Sequence, residues 1–205
     1  RSGSVTGVQT CALPICNVEF LPTFPAWQSV NGQEGQGSLC LYHGNLSVPE
    51  NEEAALWLLC QVSTKARMPL VIAGKKPSRR LQKLAGLCQH TCLVADPCET
   101  EMNDLVRKAH IHVLPCFNKN VTGIRLKLLH SLFEGRHCVV NEAIVAGTGL
   151  ESACHIGSNA NAFASIITQL YHQPFTREEI ILRKQLLGTT YDNEKNTRKL
   201  IQWLW

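Results

Sequence analysis

Residues 111–140 read IHVLPCFNKNVTGIRLKLLHSLFEGRHCVV, and the fold is decided here. Ile111–Leu114 is a short apolar run that Pro115 stops, as expected of a buried strand. Gly123–Glu134 follows with helical spacing. Ile124, Leu128 and Leu132 share one face, and Gly135 stands where a helix ends. Cys138–Val140 is a second short apolar run. Strand, helix, strand in immediate succession is a βαβ unit, whose two strands lie parallel in one sheet.

The same alternation extends in both directions. Leu39–His43 reads as a strand closed by Gly44-Asn45. Ser47-Val-Pro-Glu50 then has the order of a helix start, with Ser47 as N-cap and a helix to about Val62. Glu50, Glu52 and Glu53 sit at its positive end. Leu70–Ala73 is a strand broken by Gly74, and Pro77 or Ser78 starts a helix to about Leu87. Cys92–Ala95 and then a helix over Glu101–Ala109 lead into the opening stretch. Beyond it come a loop at Gly147-Thr148-Gly149, a short strand at His155-Ile156 and a helix over Asn161–Tyr171. Thr176 caps a helix containing Glu178–Leu187, and Asn193–Trp205 is helical. The fold class is therefore α/β, a Rossmann-like doubly wound parallel sheet. Such sheets bind ligands beyond the carboxyl ends of their strands. That selects the loops 44–47, 74–78, 96–99, 115–123 and 141–151.

The whole chain has 205 residues, 20 Lys+Arg against 16 Asp+Glu, and a net charge of +4. At 44% hydrophobic and 18% charged, it has the balance of a globular protein. The charge excess is too small to argue for nucleic acid. No apolar run approaches the roughly 18 residues of a membrane helix. Of the ten cysteines, none forms a CxxC, and Cys88, His90, Cys92 and Cys98 match no zinc spacing. Cys40, Cys60, Cys116 and Cys138 lie in apolar segments, as reduced buried thiols do in a cytoplasmic protein. The expectation is no metal and no bound cofactor. The sequons at Asn45 and Asn120 carry no weight without a secretion signal.

Residues 1–16, RSGSVTGVQTCALPIC, have neither helical nor strand periodicity, no cap and no signal-peptide h-region. Val5–Ile15 resembles the translation of a synthetic sequencing adapter, so residues 1–16 are expected to be non-native. Residues 17–37 show no regular pattern and read as a linker or packed arm built around FLPTFPAW. Residues 38–172 form the sheet domain, and 173–205 are C-terminal helices.

The free amides of a first helical turn at Gly123, Ile124 and Arg125 suit an anion, and Gly123 lets it approach the backbone. Lys127 and His130, at i and i+3, share a face within reach of that anion. The same spacing also fits an amphipathic helix whose Lys and His are solvated. No GxGxxG follows the first strand, and no Walker motif or GxSxG elbow is present. That counts against a dinucleotide-binding oxidoreductase, the third reading of such a sheet.

Residues 38–172 resemble the C-terminal, donor-binding domain of nucleotide-sugar glycosyltransferases of the GT-B fold, in particular bacterial sequences. The resemblance rests on Tyr42-His43-Gly44-Asn45-Leu46, Val71-Ile72-Ala73-Gly74, Leu105–Pro115, Thr122–Val140 and Gly147-Thr148-Gly149-Leu150-Glu151. It implies a glycosyltransferase, inactive as this piece alone, completed by a preceding N-terminal domain. It further implies a nucleoside-diphosphate-sugar donor, retaining stereochemistry and a glycan or lipid-linked acceptor. The donor and phosphate contacts it implies are Gly44, Asn45, Lys75, Thr122, Gly123, Ile124, Lys127, His130 and Glu151. Lys127 and Lys75 would neutralise the diphosphate without a metal. Two glutamates eight residues apart mark the family, and Thr122 and His130 stand in their places. That departure supports the alternative of a catalytically inactive GT-B-like nucleotide-binding or assembly module. Lys75, Lys76, Arg79, Arg80 and Lys83 are either a solvated helix face or a peripheral membrane contact.

Overall fold

The computed structural model of the chain describes residues 19–117 and 126–205. The segments expected at 1–16 and at Thr122, Gly123 and Ile124 lie outside the described residues. Six strands form one sheet: β1 (Leu39–Asn45), β2 (Leu70–Lys75), β3 (Thr91–Ala95), β4 (Ala109–Leu114), β5 (His137–Val140) and β6 (His155–Ile156). All neighbours are parallel, in the order β3-β2-β1-β4-β5-β6.

Helices cover both faces. Tyr42, Ile72, Ile111 and Val113 point to one side, where α1 (Pro49–Trp57), α3 (Arg79–Leu87) and α7 (Ala160–Leu170) pack. Leu41, Val71 and Ala73 point to the other and meet Val106 of α4 (Glu99–Lys108). On that side His43 also reaches Ser131 of α5, described over Leu126–Glu134. The two-residue period of the strands produces this division. Each fully buried Leu or Ile contributes about 1.5–3 kcal/mol.

Local departures from the sequence expectation have local causes. Val48, not Ser47, stands at the N-cap of α1, without a side-chain cap. The Ser47 hydroxyl instead donates to Asn45 Oδ1 at 2.8 Å. The helix is not uniform to Val62: α1 passes into a π-helical turn at Leu58–Val62, then α2 (Ser63–Ala66). Arg67, with φ 50°, ends it in the left-handed region. The Glu101–Ala109 helix begins earlier, at Glu99, because Glu101 reaches back to the Cys98 amide at 2.8 Å and fixes the first turn there. Ala109 opens β4 instead. A short α6 (Glu142–Val145) and a 3-10 turn at Glu151–Ala153 occupy the loop after β5.

The C-terminal helices are α8 (Arg177–Thr190) and α9 (Asn193–Leu204). In α8 a capping box forms: the Thr176 amide donates to Glu179 Oε2 at 2.8 Å, and the Glu179 amide to Thr176 Oγ1 at 3.3 Å. Residues 19–37 are irregular but tied down. Asn31 donates its amide to the Phe133 carbonyl (2.7 Å) and its Nδ2 to Glu134 Oε1 (2.8 Å). Gly35 and Phe175 form an antiparallel bridge.

Candidate functional site

The strand order reverses between β1 and β4, so the chain leaves their carboxyl ends in opposite directions and opens a crevice there. A cleft of about 790 Å³ lies at this edge of the sheet, lined in part by Trp27, His43, Gly44, Asn45, Lys75 and His130. Four residues expected from the sequence, Gly44, Asn45, Lys75 and His130, thus share one cleft.

Its floor needs glycine. A Cβ on Gly74 would sit 1.9 Å from the Gly44 carbonyl oxygen. The loops beside it are also constrained: Lys76 and Asp96 adopt φ 51° and 50°, and the Lys76 amide donates to Asp96 Oδ1 at 2.8 Å. At the far side Asn141 clamps the ends of β4 and β5 together. It accepts from the Cys116 amide (3.0 Å) and donates to the Cys116 carbonyl (2.6 Å).

Lys127 does not line the cleft wall and is not solvated. Its ammonium donates to Asn51 Oδ1 at 3.1 Å and lies 5.1 Å from the centre of the Tyr42 ring. Asn51 in turn donates from Nδ2 to the Asn45 carbonyl (3.0 Å) and accepts the Tyr42 hydroxyl on its own carbonyl (2.9 Å). A polar chain therefore runs from Asn45 through Asn51 to the Lys127 cation.

His130 is not solvated either. Trp27 stacks on it, with centroids 4.6 Å apart and planes 15° apart, and its buried Nε2 has no hydrogen-bond partner. His43 meets His130 edge-on at 5.5 Å, and its Nε2 lies 3.2 Å from Ser131 Oγ. Burial, then His130, then Lys127 push the His43 pKa down to about 3. Burial likewise lowers His130, with Glu134 opposing and Arg107 adding to the fall. This corner holds neutral imidazoles beside a lysine. Such a place suits an anion, because charge there is poorly hydrated and Lys127 supplies the positive sign.

Glu151 stands apart, in the 3-10 turn and not on the cleft wall; its charge acts on Cys154 and Tyr191. The basic residues Lys75, Lys76, Arg79, Arg80 and Lys83 are exposed. Sequence reasoning did not single out Trp27 or Asn51 as site residues. The apolar core of FLPTFPAW was the one signal for Trp27; Asn51 left none.

A family model described as glycosyl transferases group 1 matches residues 37–173. The chain belongs to this family. No curated protein matches it in sequence. Among solved structures, a group 1 domain like this one is similar to a point mutant of S. aureus TarM in complex with fondaparinux, alpha-GlcNAc-glycerol and UDP. The TM-score is 0.71 and the identity 15%, over 93% of this chain and 40% of TarM. The GtfA/B complex is similar with TM-score 0.60 and 14% identity, over 87% of this chain and 38% of that one. The UDP-forming alpha,alpha-trehalose-phosphate synthase of Burkholderia xenovorans, with glucose-6-phosphate, gives 0.53 and 14%, over 78% of this chain and 41% of that one. At these identities the likeness shows the fold. The chain spans about two fifths of the length of these proteins. Among the described residues, no helix is long and apolar enough to cross a membrane.

Proposed function

We propose that this group 1 glycosyltransferase domain binds the nucleoside-diphosphate-sugar donor of a retaining glycosyl transfer. The observation that carries the reading is the cleft at the carboxyl ends of β1 and β2, with Lys75 on its wall and Lys127 tied to Asn45 through Asn51. Lys127 and Lys75 meet the diphosphate charge as the glycosidic bond breaks, so the leaving group needs no divalent ion. Gly44, Asn45 and His130 line the same cleft and would receive the rest of the donor. The acceptor, a glycan or a lipid-linked sugar, is bound by a second, N-terminal domain, without which the chain binds donor but does not turn it over. The whole works in the cytoplasm of a bacterium, with the exposed Lys75–Lys83 face available to a membrane surface.

Calorimetric titration with UDP, GDP and ADP tests this reading. One nucleotide binds saturably, and Lys127→Ala weakens it about tenfold or more, the worth of a charge-assisted contact. Absence of binding by all three, in this chain and in the full-length gene product, overturns it. A second reading is favoured by His130, which is packed under Trp27 at the place of a family glutamate: a nucleotide-binding or assembly module without catalysis. Nucleotide binding by a full-length product that releases no sugar from any nucleotide-sugar would support this second reading.

A further inference from the structure

At the opposite, N-terminal edge of the sheet, His137 opens β5, His155 opens β6 and Glu179 lies in the first turn of α8. One ligand-type atom from each falls within 4.8 Å of the others. His137 Nδ1 is 3.2 Å from Glu179 Oε1. Bonds of 2.0–2.2 Å to a tetrahedral zinc ion put neighbouring donor atoms about 3.3 Å apart, so this pair already has the spacing.

The hydrogen bonds point the same way. His137 is 3% exposed, and its Nε2 lies 3.2 Å from the Gln173 carbonyl oxygen, which only an N–H can satisfy. The other ring nitrogen, Nδ1, faces the Glu179 carboxylate, and a cation between them, metal ion or proton, satisfies both. A ring nitrogen bound to a backbone carbonyl is also the usual support behind a metal-binding histidine. Glu179 is held similarly, since its Oε2 accepts the Thr176 amide.

Other groups at this edge limit the chemistry. Arg183, one turn along α8, donates to the carbonyls of Leu132, Gly135 and Arg136 and lies 4.5 Å over the Phe175 ring. Its charge opposes a cation, and the Glu179 carboxylate offsets it. The Cys138 and Cys154 thiols stand outside the group of donor atoms formed by His137, His155 and Glu179. His110 donates from Nε2 toward the Leu170 and Gln173 carbonyls and accepts the Gly37 amide on Nδ1, leaving no free nitrogen.

We infer that His137, His155 and Glu179 bind a divalent transition-metal ion of the zinc type, clamping β5 and β6 to the head of α8. Two imidazoles and one carboxylate suit zinc or cobalt over magnesium or calcium. Half-exposed His155 leaves a fourth position for water. The site lies a strand length from the cleft, and its occupancy is independent of donor binding.

The test uses the untagged chain, with its accessible thiols, Cys60, Cys92 and Cys98 among them, alkylated first. Cobalt(II) is titrated in and followed by visible absorption. One equivalent is expected to give ligand-field bands of nitrogen and oxygen coordination, without a thiolate charge-transfer band, and zinc(II) to displace it and raise the Tm. His155→Ala and Glu179→Gln should each weaken binding by more than the ~10–100-fold of a lost supporting contact, while His172→Ala, at an exposed histidine, leaves it unchanged. Gln at 179 keeps the capping-box hydrogen bond, so that variant folds. Absence of one-equivalent cobalt binding, a thiolate band, or equal affinity in both variants overturns the site; a proton, not a metal, then bridges His137 and Glu179.

Discussion

Histidines line both ends of this sheet, but the two ends treat them differently. At the cleft, His43 and His130 meet edge-on near Lys127, and burial pushes both down. At the other end His137 and His155 face the Glu179 carboxylate. The residue type is the same; the charge opposite it is not. The cleft end sets its imidazoles near a cation, and the far end sets them against a carboxylate. In a parallel sheet this asymmetry is natural, because every strand contributes its start to one edge and its finish to the other.

The comparison breaks most readily at its glycines. Gly74→Ala drives a methyl into the Gly44 backbone, which cannot rotate away, and should cost more than about 3 kcal/mol in urea denaturation. At the far end a Cβ on Gly135 would sit 2.0 Å from Nε2 of the buried His112 ring, a side-chain atom, and 2.8 Å from the Ser131 carbonyl oxygen, a looser backbone contact than at Gly74. Gly135→Ala should therefore cost less, about 1–3 kcal/mol. The reverse order would mean the cleft floor is the softer end.

Acid probes the histidines. His43 has a folded pKa of about 3 against 6.5 when free. Between those values the unfolded chain binds a proton that the folded chain refuses. Stability from His43 is thus complete above 6.5 and falls as pH drops toward 3, by about 1.4 kcal/mol per pH unit. His112, also lowered, steepens the same slope. His43→Asn should flatten it, measured by denaturation between about pH 6 and pH 5. An unchanged slope would mean that the cleft-side imidazole is protonated in the fold.

The smallest effect belongs to the arm. Trp27→Ala removes the stack on His130 and should cost about 1 kcal/mol beyond lost burial. Hydrogen exchange at His130 and Ser131 should rise with it. No change at either would show that residues 19–37 do not cover the cleft wall in solution.

The sheet was legible because each strand is a compact apolar run between turn residues, and helices such as α3, α4 and α5 repeat their apolar positions at the right interval. Part of the cleft was legible as well, since Gly44, Asn45 and Lys75 stand at strand ends and must share an edge. What escaped detection acts across long sequence separations. Trp27 meets His130, and His137 meets Glu179, only because the fold brings them together; no spacing between 137, 155 and 179 forms a motif. For the same reason, eight histidines that look scattered in sequence include two that meet at the cleft and two that meet at the far end. Ser47 failed as a cap for a local reason: Asn45 competed for its hydroxyl.

The π turn at Leu58–Val62 has a consequence for how this chain tolerates change in length. Such a turn accommodates one residue more than an α-helix holds over the same rise. Deleting one residue there would restore continuous α geometry and leave the residues after it nearly in place. Lys65, whose ammonium donates to Asn161 Oδ1 at 2.6 Å, would keep its hold on α7, and buried Ala66 would stay in the core. The same deletion in α7, a helix without such a turn, would instead rotate all that follows it by about 100°.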